Sequence, residues 1–259
     1  IRTLKKTVRW VVGIVLGVYI GTIVLLNIPN IQQAMSVFVA EELSEVLNTK
    51  VVIGRINMGL LNRIIIDDVL LDDQSGQEML KVTRLSAKFD IMPFFKGKIS
   101  ISSVQLFGFN INLRKETPDS PPNFKFVLDA FASKDTVKKE NSLDLRINSI
   151  LIRRGRMSYH VLSEEETPGK FNAKHIQLQN IIANISLKAL SKDSLNLGIK
   201  RLSLDEKASG FSLKKMSLKL VANNKQTNID NFTIELPETS LKLDTIHLEY
   251  DSLKAFDRF

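Results

Sequence analysis

The sequence predicts a mainly β protein carried on an N-terminal transmembrane helix and an amphipathic helix, with strands that are bulged rather than regular. Three observations predict it. An apolar run without charge stands near the N-terminus, a helical stripe follows, and from Val51 the apolar spacing changes to a period of two. One figure then recurs, with apolar residues at relative positions 0, 2, 5 and 7, most clearly at Ile99, Ile101, Val104 and Leu106. Each half alternates as a strand with one dry and one wet face does. The two-residue step between the halves keeps the same face if it forms a β-bulge, where two residues oppose one on the partner strand.

The figure returns at Ile64, Ile66, Val69, Leu71, at Leu145, Ile147, Ile150, Ile152, and at Leu197, Ile199, Leu202, Leu204. Further copies are Phe211, Leu213, Met216, Leu218 and Leu241, Leu243, Ile246, Leu248, with a looser one at Ile176, Leu178, Ile181, Ala183. Asp67-Asp68, Ser102-Ser103, Asn148-Ser149, Lys200-Arg201, Lys214-Lys215 and Asp244-Thr245 fill the central step and are the expected bulges. The block from Leu145 to Tyr159 copies the one before it at an offset of 46, and Gly108 has its counterpart one place late, at Gly155.

The chain has 259 residues, enough for one large or two small β domains, and 44% hydrophobic content supplies a core. The absence of cysteine excludes disulfide frameworks and zinc-thiolate sites. Net charge is +8, but Arg2, Lys5, Lys6 and Arg9 carry half of it, and the remaining excess is too diffuse to argue for nucleic acid.

Residues 1–29 read as a short basic stub and a transmembrane anchor. Trp10 to Ile28 is 19 residues without a charge, which as a helix spans roughly 28 Å, close to a bilayer's hydrocarbon thickness. A cleaved signal peptide is the rival, but Leu26-Asn27-Ile28-Pro29 offers no small-x-small cleavage site. The positive-inside rule places the N-terminus in the cytoplasm and the rest beyond the membrane.

Residues 30–50 hold the amphipathic helix, expected from Ile31 to Leu47 with Asn30 as cap and Asn48 as stop. Its stripe is Ile31, Met35, Phe38, Val39, Leu43 and Val46, which could lie on the outer membrane face or close one end of the sheet. Glu41, Glu42 and Glu45 suit an anionic membrane surface poorly, so the sheet end is expected. Residues 51–259 form the β region. Asp73-Gln-Ser-Gly76 reads as a turn, Pro93 ends a strand, and Glu116 to Asn123 is a surface loop. A short helix near 123–132, capped by Asn123, carries the face Phe124, Val127, Leu128, Phe131. Ser133 to Ser142 reads as charged and mobile, and Ser163 to Lys170 as an exposed turn.

Residues 1 to 114 have an order of parts that resembles the N-terminal region of the AsmA and TamB family of Gram-negative envelope proteins. The parts are the anchor, the helix, Val51-x-Ile53-Gly-x-Ile56, Ile64-x-Ile66-Asp-Asp-Val69-x-Leu71-x-Asp73-x-x-Gly76, then Pro93-x-x-x-Gly97-Lys-Ile99-x-Ile101-x-Ser103-Val104-x-Leu106-x-Gly108 and Leu113-Arg114. The resemblance implies an elongated, taco-shaped β-groove of the bridge-like lipid-transfer kind, anchored in the inner membrane, with its bulk in the periplasm. It implies phospholipid as cargo moving toward the outer membrane, and for TamB-like members a barrel partner of the Omp85/TamA class. TamB chains are far longer, so the sequence is expected to be a fragment of such a protein or a short relative.

On that reading the lipid-facing residues are Ile64, Ile66, Val69, Leu71, Ile99, Ile101, Val104, Leu106, Leu145, Ile147, Ile150, Ile152, Leu197, Ile199, Leu241, Leu243, Ile246 and Leu248. Two other readings stand beside it. A strand edge could template outer-membrane clients by β-augmentation, or the strands could pack as a membrane-tethered structural β-sandwich. No catalytic role, cofactor or metal is expected. His160, His175 and His247 have no partner at ligand spacing, Asp67-Asp68 and Asp72-Asp73 do not fit a calcium loop, and no GxSxG, Walker or HExxH motif occurs.

Overall fold

A computed structural model of the chain describes residues 2–59, 62–90, 101–132, 148–191 and 194–250. Helix α1 is Arg2–Leu26, and its stretch Arg9–Leu26 is long and apolar enough to cross a membrane, with none of it buried. It ends at Asn27, whose side-chain amide donates to the Ile23 carbonyl at 2.8 Å.

Helix α2 is Pro29–Leu47. Its cap is Ile28, not Asn30, because Pro29 occupies the first turn, where its fixed φ and missing N–H cost nothing. Asn48 stops it in the left-handed conformation, as expected. Met35, Val39, Ala40 and Leu43 pack on a core of Leu47, Val51, Ile53, Ile56, Leu71 and Met79, so the helix does close one end of the sheet. Three stripe residues do not join it: Ile31 is half-buried outside the cluster, and Phe38 is 63% and Val46 43% exposed.

Ten strands follow: β1 (Val51–Gly59), β2 (Arg63–Asp72), β3 (Glu78–Phe89), β4 (Ile101–Lys115), β5 (Ser149–Val161), β6 (His175–Ser191), β7 (Ser194–Glu206), β8 (Ser212–Asn223), β9 (Gln226–Glu235) and β10 (Ser240–Glu249). They form one sheet in chain order. Helix α3 (Lys125–Ala132) lies in the connection from β4 to β5. Neighbours are antiparallel except β4 and β5, which are parallel at a constant offset of 46: Val104 faces Ile150, Leu106 faces Ile152, and Ile111 faces Met157. The sequence repeat is therefore a pair of adjacent parallel strands, and the crossover that parallel pairing requires contains α3.

Phe124, just before helix α3, and Phe126, Val127 and Ala130 on it pack on the α2–β1 core, while Leu128 points outward at 58% exposure. Asn123 does not cap it. Its amide donates to the Asn112 carbonyl at 3.0 Å and to Asp73 at 3.2 Å, fastening the loop to the sheet. The Asp73–Gly76 turn forms as expected, with Gly76 at φ +78°. Pro93 and residues 133–142 lie outside the described residues.

The two-residue steps take two forms. Register shifts, and hence bulges, occur at Ser102, at Lys200-Arg201 and at Lys214-Lys215. Asp67-Asp68 and Asp244-Thr245 are not bulges: the ladders on either side keep one register through them. There the partner strands step at the same level, so no residue is left over. From Ile53/Ile56 through Ile66/Val69, Val82/Leu85 and Leu106/Phe109 to Ile152/Gly155, paired strands change face together. Left-handed residues mark the band: Asp68 (φ 56°), Gly108 (64°) and Arg154 (56°). Gly108 lies beside Arg154, so Arg154 and not Gly155 is its counterpart. Gly155 instead makes room for the Phe109 ring, which a Cβ there would meet at 2.4 Å.

Candidate functional site

Residues directly opposite on neighbouring strands share a face. Followed across the ladders, one apolar row crosses the whole sheet: Ile56, Ile66, Leu85, Leu106, Ile152, Ala183, Leu202, Met216, Ile234, Leu241. A second, two residues away, runs Met58, Ile64, Ala87, Val104, Ile150, Ile185, Ile199, Leu218, and Leu243 continues it on β10 opposite Phe232. On the other side of the step, Leu71, Leu80, Ile111, Met157 and Leu178 are in register. Leu197, Leu220, Ile229 and Ile246 form a row toward β10, and Leu248 faces Thr227 beside it.

The structure thus brings most of the sequence-derived apolar set onto one face. Val69 lies opposite both Ile53 and Val82, and Ile101 faces Phe89 across the Ser102 bulge. Ile99, Leu145 and Ile147 lie outside the described residues. In the ten-strand row only Ile56 (5%) and Ala183 (2%) are buried; the rest are half-buried and Leu241 is 47% exposed. A face packed on a second sheet would bury its central side chains. The described strands supply a single sheet.

Polar networks lie where the sheet meets the helices, between strands and in the turns. The Gln32 amide, on a side chain only 7% exposed, donates to Asn57 at 2.6 Å and to Asn27 at 3.1 Å. Asn57 donates to Asp67 at 3.2 Å, and Asp67 accepts from Arg84 at 2.6 Å. Hydrogen bonding and charge from Asp67 hold the Arg84 pKa above its ordinary value. Burial works against ionisation of Asp73, but donors on Ser75, Asn123 and Gln77 outweigh it and lower the pKa. Burial likewise opposes ionisation of Glu206. The Ser209 hydroxyl and the N–H groups of Ser209, Ala208 and Gln177 overcome it and bring the carboxyl down to about 2.

Two histidines that look unrelated in the sequence meet on the wet face. His160 and His175 are opposite each other at the end of the β5–β6 ladder, with their Nδ1 atoms 3.0 Å apart. The Glu166 carboxylate lies 3.8 Å from His160 Nδ1 and 4.0 Å from His175 Nδ1. Separation by 15 residues fits no helical or loop motif, so spacing alone leaves the two isolated. The available signal was symmetry, since both flank the acidic turn Ser163–Lys170. His247 has no such pairing; it contacts Asn228 and, at 3.0 Å, Glu249.

No family model matches the chain, and no curated protein matches it.

Proposed function

We propose that the chain is an inner-membrane-anchored β-groove protein that binds phospholipid acyl chains and conducts them toward the outer membrane. The observation that carries this reading is the apolar row that passes through all ten strands without a polar residue. At an inter-strand spacing of about 4.8 Å, nine steps give a path of roughly 43 Å along the sheet. Each methylene taken from water by such a surface contributes about 0.8 kcal/mol without any directed contact, so a continuous apolar face suffices for an alkyl chain. Helix α1 supplies the anchor on this reading, with the N-terminus cytoplasmic and the sheet periplasmic. The resemblance to the AsmA and TamB family supports the same assignment.

The test is Leu106→Glu and Leu202→Glu in the full chain purified in mild detergent, with lipid content and melting temperature measured together. In an open groove the carboxylate reaches water at the rim. Co-purified phospholipid then falls several-fold, while melting drops by only a few degrees. In a packed core the charge is stranded at a cost of several kcal/mol, comparable to the whole stability of a domain. Unfolding by both variants would therefore refute the groove.

A second reading has its own observation. Among the described residues β10 pairs with β9 alone, and Leu241, Leu243 and Leu248 along it are 39% to 52% exposed. Such an edge suits strand addition by an outer-membrane barrel client with an Omp85-class partner. A photocrosslinker at Lys242 that captures barrel proteins in cells supports this reading; labelling of lipid alone counts against it.

A further inference from the structure

We propose that His160, His175 and Glu166 form a binding site for a divalent transition metal of the zinc class, on the face of the sheet opposite the apolar rows. The placement follows from the register. Tyr159 and Ile176 are paired on the apolar face, so their neighbours His160 and His175 are paired on the other. The two imidazoles are 5.3 Å apart between centroids and direct the same atom, Nδ1, at one another.

The protonation pattern suits a metal. His175 Nε2 lies 2.9 Å from the Glu164 carbonyl oxygen, which can only accept, so Nε2 carries the proton. In the neutral ring Nδ1 then holds a lone pair, aimed into the gap. A ligating histidine whose other ring nitrogen donates to a backbone carbonyl is the usual arrangement, because that bond fixes tautomer and ring orientation. The Glu164 carbonyl is itself held in place: its side chain pairs with Lys174 at 2.6 Å, and its N–H donates to the Val161 carbonyl at 3.0 Å. His175 is 8% exposed, so its orientation is set by packing as well.

The distances suit one too. Zinc binds imidazole nitrogen at about 2.0–2.1 Å in tetrahedral geometry, which separates two nitrogens by roughly 3.3 Å. The observed 3.0 Å requires an outward shift of a few tenths of an ångström. Glu166 Oε1 has to move inward by a similar amount from 3.8 and 4.0 Å, and its side chain, 64% exposed, is free to do so. A cavity of about 280 Å³ lined by Glu166, Asn172, His175 and Gln177 opens beside the group and admits the ion, with water at the fourth position. Arg114, next to His160 on β4, is paired with Asp73 at 2.6 Å, and Lys207 lines the cavity from the β7–β8 turn.

Without metal the same atoms make an imidazole–imidazole hydrogen bond, with His160 Nδ1 donating to His175 Nδ1. The experiment separates the two. Zinc alone is titrated into the metal-stripped full chain in detergent, against a chromogenic chelator. One saturable equivalent is expected, weakened at least tenfold in His160→Gln and His175→Gln and by a smaller factor in Glu166→Gln. His247→Gln, which removes the unrelated histidine, leaves the affinity unchanged. Absence of a saturable equivalent in the wild type, or equal loss in His247→Gln, overturns the proposal. Should His175→Gln fail to fold, Glu166→Gln decides, since that side chain is exposed; unchanged affinity in it together with His160→Gln also overturns the site.

Discussion

Glu206 closes β7 with four donors converging on one carboxylate, and the side chain is almost fully removed from water. Its folded pKa of about 2 lies below the ordinary 4.5, so its contribution is complete above about pH 4.5 and is lost as the pH falls toward 2. A shift of that size corresponds to roughly 3 kcal/mol. Urea unfolding of the wild type and of Glu206→Gln at several pH values should show a stability difference that is constant near neutrality and shrinks through that window. A difference independent of pH between 5 and 2.5 would disprove the assignment. None of this was legible in Leu204-Asp205-Glu206, which reads as the end of an alternating strand. The donors come from the following turn and from Gln177 on β6, so the site exists only once the β6–β7 register is set. The histidine pair was hidden for the same reason. Asn123 and Asn30 show the converse: both have the residue type of a cap, yet Asn123 is taken by the sheet and Asn30 is pre-empted by Pro29.

Among the elements, α2 covers the edge that β1 would otherwise present. Ser44 accepts the Val51 N–H at 3.0 Å, and Asn27 donates to the Met58 carbonyl at 2.9 Å, so both ends of that edge have side-chain partners. Between them the chain Asn27, Gln32, Asn57, Asp67, Arg84 ties the end of α1 to three strands. Gln32→Leu keeps the volume but strips Asn57 and Asn27 of their donor in a buried place. A loss of about 1–3 kcal/mol in equilibrium unfolding is expected, and an unchanged midpoint would show that the chain is ornamental. The amphipathic helix was legible from spacing, and its place at the sheet end from Glu41, Glu42 and Glu45, which suit an anionic membrane surface poorly. Of the stripe, Met35, Val39 and Leu43 are what packs on the β1 core. The form of the two-residue steps was not. A step in one strand is a bulge or a concerted change of face according to what its partner does, and Asp67-Asp68 and Lys200-Arg201 look alike until their partners are known.

At the scale of the whole molecule, the strand set and its one apolar face were written in the alternation. The order of the strands was not, although the offset of 46 was a trace of it. The parallel pair β4–β5 divides the sheet into two antiparallel runs, β1–β4 and β5–β10, joined in sequence by the longest connection. Each run is held internally by its hairpins, so native-state hydrogen exchange should resolve two cooperative units with the boundary at that pair. Amides of β2 and β8 that exchange with one free energy at every denaturant concentration would exclude such a boundary. Pairing only between chain neighbours has a broader result. As in stacked repeat proteins, stability becomes a sum of local terms, and no strand depends on one far away in the sequence. The number of hairpins can then change without altering what lies at the α2 end. Reach becomes a quantity that evolution or design could adjust two strands at a time, with every added pair lengthening the apolar rows in step.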